Sequence, residues 1–119
     1  SAAPAGAEAA ILAWARAQYG EIFEPLNIFY GDFTGDGAPD AFAWVNYPTG
    51  GNSAGLDVPL FRNQGGRMVY WRSEQEVFGE QPRNIAFAPG RITLTTSVLR
   101  DQDPRCCPTG ARNWTINTN

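Results

Sequence analysis

The stretch Asp32-Phe33-Thr34-Gly35-Asp36-Gly37-Ala38-Pro39-Asp40 sets carboxylates at the first, fifth and ninth positions of a segment bent by two glycines. Oxygens converging in this way are what a hard cation takes as ligands, and a flexible loop rich in oxygens suits calcium better than magnesium. The same residues can form a tight hairpin in which the Asp side chains accept from their own backbone amides and the glycines supply positive φ. Either way the charge must be met, because three crowded carboxylates with no adjacent Lys or Arg repel one another. An ion here would be structural, pinning the strands on either side, since the sequence offers no base beside it for a reaction.

Cys106 and Cys107, within Asp101-Gln102-Asp103-Pro104-Arg105-Cys106-Cys107-Pro108-Thr109-Gly110, are the second unusual feature and the chain's only cysteines. Neighbouring Cα atoms stand about 3.8 Å apart, less than the usual disulfide span, so a vicinal bridge would close a strained ring and stiffen a turn. Two free thiols or an intermolecular bridge are the other states these residues leave open. A redox catalyst would favour Cys-x-x-Cys at a helix start, which is not the spacing here. With no other soft ligands in the sequence, the pair favours an oxidising compartment over a zinc site.

Composition narrows the chemistry further. All nine cationic side chains are Arg, there is no His, and the net charge is −3. General-base imidazole, Schiff-base lysine and His metal ligation are therefore absent together. No basic cluster is present to neutralise a run of phosphates, which argues against nucleic acid. No apolar run approaches the roughly 20 residues a membrane-spanning helix needs. At 119 residues, 43% hydrophobic, the chain is expected to be one folded domain over 7–119, with 1–6 a flexible mature N-terminus. Ser1 to Ala7 reads as an end exposed by signal-peptide cleavage, with a cloning remnant at Ser1 as the plain alternative.

The elements that must position these features begin with a helix over Ala7–Tyr19, stopped by Gly20, whose stripe Ile11, Ala15 and Tyr19 needs a surface to cover. Strand patterns follow over 26–30, 41–47, 56–62, 67–72, 84–88, 91–99 and 111–118, punctuated by Asn63-Gln64-Gly65-Gly66 and Pro89-Gly90. In 41–47, Phe42 and Trp44 share one face, while Ala41, Ala43, Val45 and Tyr47 share the other and could let the helix approach closely. The expected fold is α+β, one N-terminal helix packed on an antiparallel meander sheet of about six or seven strands.

Two resemblances accompany these readings. Asp32 to Asp40 resembles the calcium loops of dockerins and FG-GAP repeats, which implies carboxylate ligands from Asp32, Asp36 and Asp40, a carbonyl from Ala38, and Thr34 at the third position. Those loops usually carry Asp or Asn there, and a hydroxyl is a poorer ligand. A propeller is excluded, because it needs many copies and the chain has one. Arg105-Cys106-Cys107-Pro108-Thr109-Gly110 looks like the Arg-Cys-Cys-Pro-Ser/Thr segment of a family of exported bacterial proteins that includes lipoproteins of the LppP/LprE type. That resemblance implies a periplasmic or secreted location and a shared fold, and no activity.

The functional expectation is an exported, non-enzymatic binding domain with a protein partner in the cell envelope, using Arg105, Trp44 and Trp71. One alternative is a carboxylate hydrolase of cell-wall polysaccharide pairing Asp36 or Asp40 with Glu74, Glu76 or Glu80. Another is a carbohydrate-binding module stacking sugars on Trp44, Trp71 or Tyr70. Two carboxylates about 5–9 Å apart in a cleft would favour the hydrolase. A flat row of exposed aromatics would favour sugar, and a compact apolar patch rimmed by Arg72, Arg100 or Arg105 would favour protein.

Overall fold

The structure is a computed structural model in which residues 3–119 are described. The expected flexible terminus lies partly outside them, and Ala5 and Gly6 line a hollow with Gly66, Arg67 and Met68. One helix, α1 (Ala7–Tyr19), is followed by eight strands: β1 (Asn27–Gly31), β2 (Asp40–Pro48), β3 (Ala54–Asp57), β4 (Pro59–Gln64), β5 (Arg67–Ser73), β6 (Glu80–Ala88), β7 (Arg91–Val98) and β8 (Gly110–Asn117). All pairings are antiparallel. The class is therefore α+β.

The single meander is corrected to two sheets. β1-β2-β4-β5 form one path with β3 also on β2, and β6-β7-β8 form a separate three-stranded sheet. The reason lies in β2, whose residues from Asp40 to Val45 are all buried, so both of its faces need a cover. Ala41, Ala43 and Val45 pack with Ile11 and Ala15 of the helix, and the small side chains allow its close approach. Phe42 and Trp44 point the other way, into a core shared with Ile92, Leu94, Trp114 and Ile116 of the second sheet. One helix can cover one face only; the second sheet covers the other.

The strand expected over 56–62 is broken at Val58. Its first half pairs with the far end of β2 as β3, and its second half pairs with Ala41 and Phe42 as β4. Pro59 has no N–H to give to a ladder and restricts the residue before it, which explains the break. The connection from β2 to β3 is short, since β3 already begins at Ala54.

Candidate functional site

The acidic bend connects β1 to β2, and its carboxylates are met by amides. Asp32 accepts from Gly35 N and Gly37 N, both at 2.8 Å, and Asp36 from Ala38 N at 2.9 Å. Gly35 and Gly37 make this possible at φ 85° and 88°, where other residues are strained. Desolvation pushes the Asp32 carboxyl up, but hydrogen bonds from Gly37, Gly35 and Thr34 outweigh it and hold the group below its ordinary range.

Asp40, fully buried, is the hub. It accepts from Phe33 N at 3.1 Å, Thr34 N at 3.2 Å and Asn63 N at 2.9 Å, with the Thr34 hydroxyl also at 3.2 Å. Asn63 returns a bond to the Pro39 carbonyl and accepts from Gly66 N. One side chain thereby ties the β1–β2 bend to the β4–β5 hairpin.

Whether a cation fits follows from the same atoms. One oxygen each from Asp32, Asp36 and Asp40 lies within 4.8 Å of the others, a span that ligands at about 2.3–2.6 Å from one calcium can take. Much of their capacity is already used, however, and Thr34 serves the carboxylates as a donor. The bend is complete without an ion, and the residues present could hold one in addition. Asp40 is sealed from solvent, which removes it from the acid/base pair a hydrolase would need.

A different surface is assembled at the other end of the chain. Cys106 and Cys107 are bonded to each other at the exposed tip of a loop closed by Asp103. That carboxylate accepts from Arg100 N and Thr109 N, both at 2.8 Å, and these bonds hold its titration below the usual carboxylate value. Beside the tip lies a hollow of about 260 Å³ lined by Phe78, Leu99, Arg105 and Pro108. Phe78 and Leu99 are 50% and 51% exposed, so the apolar groups are open to solvent.

The ring of Phe78 is nevertheless held in place. It packs edge-on against Trp114 with centroids 5.0 Å apart, and the Arg112 guanidinium lies 4.0 Å from the Trp114 ring. Trp114 Nε1 donates to Thr96 Oγ1 at 2.8 Å, which donates to the Phe78 carbonyl at 2.7 Å.

Of the residues singled out for binding, Arg105 alone reaches this patch. Trp44 is corrected to a core residue, 3% exposed; it sits on the inward face of a doubly covered strand. Trp71 is corrected as an open platform, because Arg62 and Arg72 lie 3.6 and 4.5 Å from its ring centroid. Arg72 is engaged there, with Glu74 and with the Asn117 carbonyl, so it does not rim the patch. Phe78, Leu99 and Arg112 escaped the sequence reading; an apolar Phe78 amid the polar residues 73–82 and Leu99 just before the Cys loop were the available signal.

Charge is divided along the chain as well. Residues 78–119 hold five arginines and three carboxylates, whereas residues 1–77 hold four arginines and nine carboxylates. Comparison of the chain with protein-family models, curated proteins and solved structures gives no match.

Proposed function

We propose that the chain is an exported binding domain that docks a partner protein on the Phe78–Leu99 patch. The observation that carries this is an open apolar hollow lined by Arg105 and built on a fixed aromatic anchor, Phe78, whose ring has the Arg112 guanidinium 5.5 Å from its centroid. An anchor already immobilised loses little freedom on binding, and aromatic and Arg side chains dominate interface energetics. Glu80 also lines the hollow, so the favoured occupant is a segment whose Leu or Phe enters it and whose acidic residues lie toward Arg105 and Arg112. Export is supported by the Cys106–Cys107 bridge, which an oxidising compartment preserves, and by the likeness of Arg105–Gly110 to exported bacterial proteins. Peptide-display selection on the wild type, with Phe78→Ala/Leu99→Ala as counter-target, tests the reading. Enrichment of acidic peptides with an apolar centre supports it; no enrichment, or peptides retained by the double variant, overturns it.

For the acidic bend we propose a structural role in which calcium adds to a brace its amides already make. Titration calorimetry on EDTA-treated protein is expected to give weak binding, in the roughly 10⁻⁴–10⁻³ M class of extracellular sites. Unfolding on EDTA treatment, or affinity tighter than about micromolar, contradicts that role.

A further inference from the structure

A second cavity, about 260 Å³ in volume, opens between the C-terminal half of α1 and strands β2, β3 and β5. It shares no lining residue with the Phe78 hollow. Four aromatic rings form its walls, but they are stacked in two pairs. Trp14 lies on Tyr70 with centroids 4.5 Å apart, and Tyr19 on Tyr47 at 4.1 Å. Each pair spends ring faces on itself, so a cation could not be caged on all sides by open rings.

What the cleft offers instead is hydrogen-bonding tips at fixed positions. The Tyr19 phenol donates to Asp57, and burial first, then that bond, holds it far above its ordinary titration and keeps it a donor. The Tyr70 and Ser73 hydroxyls pair at 3.0 Å, and Gln18, Gln75 and one aliphatic residue, Leu56, complete the lining. No cationic residue lines the cleft and Asp57 has no ion-pair partner among the described residues. A phosphate, sulfate or carboxylate would therefore be repelled, and a hydrocarbon would strand the amides and hydroxyls.

We infer that this cleft binds a neutral polyhydroxyl ring, one saccharide unit at a time. Sugar hydroxyls both donate and accept, as the Ser, Tyr and Gln groups do, and Asp57 can accept a hydrogen bond from one of them without needing a countercharge. The volume lies just under the roughly 300 Å³ at which small-molecule pockets usually begin, which matches a single ring. Of the three aromatics singled out from the sequence for sugar stacking, Tyr70 lines the cleft and Trp44 and Trp71 do not.

The test is a glycan array carrying neutral and acidic saccharides, followed by calorimetry with the best-bound free glycan. Neutral glycans are expected to bind in preference to acidic ones. Asp57→Asn and the exposed Gln75→Ala are each expected to weaken binding by roughly five- to tenfold, with circular dichroism and melting of Gln75→Ala unchanged. No bound glycan, equal binding of acidic glycans, affinity unaltered in both variants, or binding of choline in place of sugar would each overturn the proposal.

Discussion

Asp40 shows how one buried charge is made tolerable by backbone rather than by a counterion. Removing it leaves the amides of Phe33, Thr34 and Asn63 without their acceptor, and orphaned buried donors cost about 1–3 kcal/mol each. Asp40→Ala is accordingly expected to destabilise the fold by about 3 kcal/mol or more, read from urea unfolding; a loss under about 1 kcal/mol would contradict the hub role. Asp32 in the bend and Asp103 in the disulfide loop, both half-buried, predict a pH dependence. The folded-state values of Asp32 and Asp103 lie below the ordinary 3.8, so the folded protein binds fewer protons than the unfolded chain near that pH. Their stabilisation is complete above the unfolded value and is lost as pH falls through the folded ones. The melting temperature should drop on acidification below about pH 4, and Asp32→Asn/Asp103→Asn should flatten that drop. A double variant with an unchanged acid limb would refute it.

At the level of elements, the contact between the two sheets is close enough to exclude a methyl group. A Cβ placed on Gly31 of β1 would stand 2.1 Å from the Phe87 ring of β6. Gly31→Ala is expected to cost about 1–3 kcal/mol in thermal or chemical unfolding, and a neutral effect would mean that the sheets separate freely. The helix, its stop at Gly20 and the two faces of 41–47 were legible because each follows from side-chain period alone. The division into two sheets was not, since strand patterns do not say which strands are neighbours. Nor did alternation reveal that Trp44 points inward, because a strand buried on both faces looks apolar throughout. The bend's carboxylates were visible as a group, but the backbone amides that each of them accepts from depend on loop geometry that composition does not carry. The cleft at Trp14 and Tyr70 joins residues 56 positions apart, and no local pattern announces it.

Seen whole, the molecule carries its carboxylate excess in residues 1–77 and its arginine surplus on the second sheet, where Arg83, Arg91 and Arg112 stand against Glu80; in the disulfide loop Arg100 and Arg105 are balanced by Asp101 and Asp103. Under the proposed docking role, the exposed Arg105 in the hollow and Arg112 beside the Phe78 ring would attract an acidic partner there. Association with such a partner should weaken as salt rises, because the arginines at the rim are exposed and screened. The measurement closest to the account's central claim is an amide-resolved NMR titration of the wild-type protein with a peptide obtained by display selection. Shifts are predicted to concentrate at residues 78–80, 97–99, 105–108 and 112, with little change around Asp32–Asp40. Shifts centred on the bend, or spread evenly over the first sheet, would contradict it.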